Sequence, residues 1–108
     1  MIIVIARLEV EPAALPQIRP ALDRMMRATW EESGCLSYSI AIEDAAAGVV
    51  TIVERWRDDR ALAEHFGSAH MTMFNAATAG LVRALDARVY DVSGERPLMA
   101  VANGSTAA

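Results

Sequence analysis

The alternation and clustering of apolar positions mark out most of the elements. Ile2 to Glu9 is rich in β-branched residues and reads as a strand. Its opening, Ile2-Ile3-Val4-Ile5-Ala6, is apolar on both faces, which predicts burial on both sides. Pro12 marks the turn into a helix. There Leu15, Ile18, Leu22, Met25 and Thr29 recur at spacings of three and four, with Met26 and Trp30 beside them. Pro20 removes the amide that would bond the carbonyl of Pro16, so a kink or a late helix start is expected. Ser33-Gly34 ends the helix, with Gly34 suited to a left-handed cap.

Leu36 to Glu43 reads as the second strand, with Tyr38, Ile40 and Ile42 on one face and Ser37, Ser39 and Ala41 on the other. Asp44-Ala45-Ala46-Ala47-Gly48 is a hairpin loop, and Val49 to Trp56 is the third strand. Asp58 or Asp59 caps the next helix, which Gly67 and Ser68 interrupt. Met71, Phe74, Thr78, Leu81, Val82 and Leu85 predict a further helix, and Arg88 to Val92 the last strand. This order is the split βαβ, or ferredoxin-like, plan. The expected class is α+β, one antiparallel sheet with helices on one side. Ile3, Ile5, Val49, Thr51 and Val53 are too apolar for water, so the other sheet face should pack on a second copy. That gives a dimeric α+β barrel. Residues 1–94 form the expected single domain. Residues 95–108 form a tail whose end should be disordered, with Leu98 to Val101 docking on the partner subunit.

Composition narrows the function classes. Hydrophobic residues make up 54% of the 108, ample for a core and rich enough to suggest a buried dimer face. The net charge of -4 argues against a nucleic-acid surface. Cys35 is the only cysteine, which excludes an internal disulfide and reads as a small buried hydrophobe. No Cys-x-x-Cys or His-Glu-x-x-His metal motif is present. The apolar N-terminus is broken by Arg7 and Glu9, so neither a signal peptide nor a membrane span is expected. A reducing cytoplasmic setting fits these features.

The densest chemistry lies at the junction running from Glu54-Arg55-Trp56-Arg57-Asp58 to His65, with His70 close behind. A strand end bearing an indole, followed by a short helix bearing an imidazole, can line a small aromatic pocket. Ile52, Glu54 and Trp56 share parity, so the pocket should lie between their sheet face and the helices. Several of these residues have plain structural explanations. Trp56, Tyr38 and Phe74 suit a core, the methionines suit helix packing, and Glu54 and Arg7 suit ion pairs.

These residues resemble the antibiotic biosynthesis monooxygenase family, small dimeric α+β barrels that include cofactor-independent quinol and anthrone oxygenases. The matching pieces are the strand Ile3 to Val10 with Glu11-Pro12 and the segment Glu32-Ser33-Gly34-Cys35-Leu36-Ser37-Tyr38. The third piece runs from Glu54-Arg55-Trp56-Arg57-Asp58 through Ala61-Leu62-Ala63-Glu64-His65 to Ser68-Ala69-His70. The resemblance spans roughly residues 1 to 93. The heme-degrading branch is a poor match. It has a tryptophan at about the place of His65, a ligating histidine near Asn75 and an asparagine on the first strand, and this chain has no Asn before Asn75. Trp56 matches the tryptophan of the anthrone oxygenases. Their asparagine, tyrosine and arginine fall at Ile52, near Leu62 and near Ala76, so the polar groups here must be different ones.

The resemblance implies a monooxygenase that uses O2 as co-substrate with no flavin, metal or heme. Its partners would be a quinol-like or hydroxylated aromatic substrate and a second copy of the chain. A phenolate or quinol anion can itself give an electron to triplet dioxygen, so the site needs only a base and a dry pocket. His65, His70 and Trp56 are the expected catalytic residues, a histidine serving as base near neutral pH. Trp56, Ile52, Glu54, Arg7, Tyr38, Phe74, Met71 and Asn75 are the expected substrate contacts, with Arg7 as a buried cation for the anion. Two other readings remain open: an isomerase of a small carbonyl or sugar-phosphate compound, and a non-catalytic ligand-binding or stress protein.

Overall fold

The computed structural model describes residues 1–100 and 106–107. Four antiparallel strands form one sheet in the order β2-β3-β1-β4. They are β1 (Ile2–Val10), β2 (Cys35–Asp44), β3 (Val49–Trp56) and β4 (Val82–Asp91). Three helices complete the domain: α1 (Leu15–Trp30), α2 (Asp59–Phe66) and α3 (Ala69–Thr78). A short 3-10 turn over Pro12–Ala14 leads into α1. This is the ferredoxin-like α+β arrangement. In the tail, β5 (Met99–Ala100) pairs with β6 (Thr106–Ala107), and the expected disorder and docking of residues 101–105 and 108 lie outside the described residues.

The registers explain the core. On β1 every second residue from Ile2 to Val10 is buried. Ala6 sits opposite Ile52 on β3, and Tyr38 on β2 sits opposite Glu54. These positions face α1, whose Leu15, Ile18, Leu22 and Met25 complete the cluster. The helix runs unbroken through Pro20, so the expected late start does not occur. A missing amide there withdraws a single bond, and Pro16 in the first turn lacks only a donor the helix would not use.

Two expectations need correction. The helix expected to reach Leu85 stops at Thr78, and the last strand starts at Val82 rather than Arg88. Gly80 takes φ +77°, a left-handed value that ends the turn. The Thr78 hydroxyl donates back to the Phe74 carbonyl at 3.0 Å. Beyond Gly80, β4 pairs with β1, Leu85 opposite Leu8 and Val89 opposite Val4. Second, Gly34 has no positive φ. It is small for want of room, because a Cβ there would collide with the Cβ of Ala61. Within the single chain the outer face of β1 is open, Ile5 being 44% exposed and Val53 opposite it 41%. Among the described residues, no helix is long and apolar enough to cross a membrane.

Candidate active site

The turn between α1 and β2 brings Glu32 against both histidines. Its backbone is fixed at each end: Glu32 N–H donates to the Thr29 carbonyl at 3.0 Å, and its carbonyl accepts from Cys35 N–H at 3.0 Å. The Trp30 indole N–H donates to the Tyr38 carbonyl at 2.7 Å, tying the end of α1 to β2. On the other side, the Asp58 carboxylate caps α2 by accepting from Ala61 N–H at 2.9 Å. Ser68 caps α3 by accepting from Met71 N–H at 3.2 Å and donates its hydroxyl to the His65 carbonyl at 2.7 Å. One hydroxyl thus fixes the end of α2 to the start of α3, and with them His65 to His70.

Glu32 Oε2 lies 2.7 Å from Nδ1 of His65 and 2.8 Å from Nε2 of His70. An ionised carboxylate only accepts, so each ring gives it an N–H. His65 is 1% exposed, and its ring stacks on Trp56 with centroids 4.7 Å apart. Tyr38 lies 5.5 Å from the same ring. Trp56 is fully buried and donates its indole N–H to Oε1 of Glu54 at 2.8 Å.

A cavity of about 190 Å³ lies between the sheet and the helices, where residue parity predicts it. His65, Tyr38, Ile52, Glu54, Met71, Phe74 and Asn75 line it. A larger groove of about 310 Å³ runs outside, between α1 and α3, and His70 opens on it with Arg24 and Arg27. The inner cavity is the better seat for chemistry because His65 and Glu54 reach it.

Two expected contacts are placed elsewhere. Arg7 points out from the opposite sheet face, with a side chain half exposed, and pairs with Glu43 at 3.3 Å and Glu9 at 3.4 Å. Residues of one strand alternate between faces, so Arg7 cannot share the side of Ala6. Trp56 does not line the cavity. It backs His65 and Glu54 from beneath, so it positions groups rather than stacking on a ligand. Glu32 is the residue that sequence reasoning passed over, because it sits in a turn outside any periodic element. The structure also assembles a His-His-carboxylate cluster that no local motif announces: Glu32, His65 and His70 each offer one ligand atom, all within 4.8 Å of one another.

Burial drives the electrostatics. Desolvation holds the His65 imidazole below its ordinary value, with the Glu32 hydrogen bond pulling the other way. Desolvation pushes the Glu54 carboxyl up, against the stabilising indole N–H of Trp56. It pushes the Tyr38 phenol well above its ordinary value, aided by the Glu54 charge, so the phenol keeps its proton. At neutral pH His65 is therefore uncharged. Nδ1 is committed to Glu32, and Nε2 has no protein partner among the described residues. A lone pair on an oriented imidazole beside an apolar cavity is the equipment of a general base.

The fold and this site define a small ferredoxin-like protein with a histidine-bearing pocket between its sheet and its helices. Residues 1–77 match the antibiotic biosynthesis monooxygenase family, and the chain belongs to that family. It is 39% identical over 79 residues to Rv0793 of Mycobacterium tuberculosis, a match covering 73% of this chain and 77% of that protein. The name of that relative places it provisionally among the monooxygenases. Its solved structure superposes with a TM-score of 0.76 and 36% identity, covering 87% of this chain and 96% of the other. A structure from Deinococcus radiodurans, provisionally named for the same family, gives a TM-score of 0.81 at 25% identity. That match covers 92% of this chain and 99% of the other.

Proposed function

We propose that this protein is a cofactor-independent monooxygenase that oxidises a quinol or hydroxylated aromatic with dioxygen. The observation that carries the reading is a neutral His65, oriented by Glu32, on the wall of a largely apolar cavity. Family membership supports the reaction class.

In this reading, His65 Nε2 takes a proton from an activated carbon or hydroxyl of the bound ring. The resulting anion gives one electron to dioxygen, and the radical pair combines to form a C–O bond. The imidazolium returns its proton to the peroxide. The O–O bond breaks with loss of hydroxide, which takes the second hydrogen of that carbon as a proton to give the one water. The balance for a methylene substrate is one CH2 and one O2 consumed, one carbonyl and one water formed. No step needs flavin, metal or heme. Glu32 keeps the base in one tautomer, Trp56 holds Glu54 and His65, and Tyr38, Ile52, Met71, Phe74 and Asn75 shape the space for a flat ring. Protonated Tyr38 is a hydrogen-bond donor for the substrate oxygen.

The protein acts as a homodimer in a reducing cytoplasmic setting. The outer sheet face, with Ile5 and Val53 both over two-fifths exposed, is the face a second copy covers.

The test is oxygen uptake by chelator-treated protein supplied with a reduced naphthoquinone or an anthrone. Uptake should fall at least about a hundredfold in His65→Asn, the range for losing a general base. Equal uptake by wild type and variant would remove the assignment. Turnover that continues without oxygen would favour the isomerase.

A further inference from the structure

We propose that Glu32, His65 and His70 form a binding site for a divalent transition-metal cation of the zinc class, and that filling it switches off His65 as the cavity's base. The second half rests on the monooxygenase reading; the first stands alone.

Three separate segments supply the ligand atoms: the turn after α1, the last turn of α2 and the first turn of α3. Nδ1 of His65 and Nε2 of His70 converge on one carboxylate oxygen, at 2.7 and 2.8 Å. All three ligand atoms lie within 4.8 Å of one another. In a tetrahedral zinc site, bonds of about 2.0–2.1 Å put neighbouring ligand atoms roughly 3.3 Å apart. The two short separations need open by only about half an ångström to reach that value. Two imidazole nitrogens and one carboxylate oxygen are a donor set for zinc and its transition-metal neighbours. Magnesium and calcium prefer all-oxygen shells.

The site is held in shape independently of any ligand. The Ser68 hydroxyl joins the His65 carbonyl to the cap of α3, fixing the two histidine-bearing helices to each other. Trp56 stacks on the His65 ring. These are the outer supports that metal sites require. Solvent reaches the cluster, because the side chains of His70, which opens on the outer groove, and of Glu32 are 21% and 17% exposed. A water molecule can complete four-coordination there.

Tautomers link this site to the cavity. Without a cation, His65 carries its proton on Nδ1 and offers a lone pair at Nε2. A cation on Nδ1 forces the proton of the neutral ring onto Nε2. His65 then presents a donor to the cavity and can no longer accept a substrate proton.

The experiment titrates chelator-treated, full-length protein with Co2+ and reads its visible ligand-field absorption. One equivalent per chain should bind, and Zn2+ should displace it. Glu32→Gln and His70→Ala should each weaken binding by at least about tenfold to a hundredfold, the cost of losing even an outer support of a metal site, with circular dichroism confirming that each folds. In oxygen uptake, Zn2+ should inhibit the wild type and a chelator should restore it. No saturable Co2+ binding would mean a hydrogen-bonded triad only and overturn the proposal. So would a band that survives the double variant Glu32→Gln/His70→Ala. If no quinol or anthrone is oxidised at all, the monooxygenase reading fails while the cobalt titration still decides the metal site.

Discussion

The side chain around which the pocket is organised is His65, and its acid–base behaviour follows from two opposed influences. Burial disfavours the imidazolium and Glu32 favours it, with burial the larger. A group whose folded value is depressed is fully favourable above its unfolded value, and that contribution is lost as pH falls through the folded one. Activity should therefore rise along a limb below the ordinary imidazole range and be flat by neutral pH, read as kcat/KM against pH. Glu32→Gln removes the influence favouring charge, so the limb should move to still lower pH while the plateau drops. A limb that moves upward would contradict the hydrogen bond from His65 to Glu32. Trp56 and Glu54 form a second coupled pair. Trp56→Phe leaves a buried carboxyl without its 2.8 Å donor, and urea unfolding should show a loss of about 1–3 kcal/mol. Pairing the change with Glu54→Leu should make the combined loss smaller than the sum. His65, Ile52, Tyr38 and Glu54 were legible from strand parity and from the imidazole near the indole. Glu32 was not, because the partner of a histidine is chosen by tertiary contact across 33 residues of chain. Arg7 was misplaced because a charged residue in an apolar strand attracts functional meaning, whereas strict alternation had already put it outside.

At the level of elements, the seam between the α1–β2 turn and α2 controls the site. Gly34 gives its carbonyl to Arg57 N–H at 2.9 Å and leaves no space for a Cβ beside Ala61. Gly34→Ala should push α2 away from the turn, costing roughly 1–3 kcal/mol as overpacking does. It should also lower activity by separating Glu32 from His65. Adding Ala61→Gly should recover both in thermal melts and turnover; recovery of neither would show that the contact is not the cause. The first three strands and two helices could be read closely because period-two and period-3.6 patterns were clean. The α3–β4 boundary could not, since Leu81, Val82 and Leu85 satisfy helical spacing as well as they sit in a strand. What decided it was Gly80 in a left-handed turn and the open edge of β1, and edges are properties of a sheet rather than of a segment.

For the whole molecule, the unsolved surface is the outer sheet face together with β4, every residue of which is exposed in the single chain. Leu85 and Val89 are 62% and 52% exposed, although they share a face with the core of β1. Ile5→Glu with Val53→Glu puts two charges on the apolar centre of the outer face. Analytical ultracentrifugation should turn a dimer into a monomer, and a doubly charged variant that still sediments as a dimer would place the interface elsewhere. Ile3, Ile5 and Val53 are what lead the sequence to an expected cover, because they lie on the sheet face that the helices leave open. Met25 and Phe74 border the inner cavity and the outer groove alike. Two side chains, one of them an unbranched thioether with three freely turning bonds, are thus a common partition. A door made of rotamers swings without moving backbone, on the timescale of side-chain flips rather than of hinge motions. Phe66, Val82 and Leu85 line the same cavity and are exposed in the single chain, so the side towards β4 offers a second way in that needs neither side chain to turn.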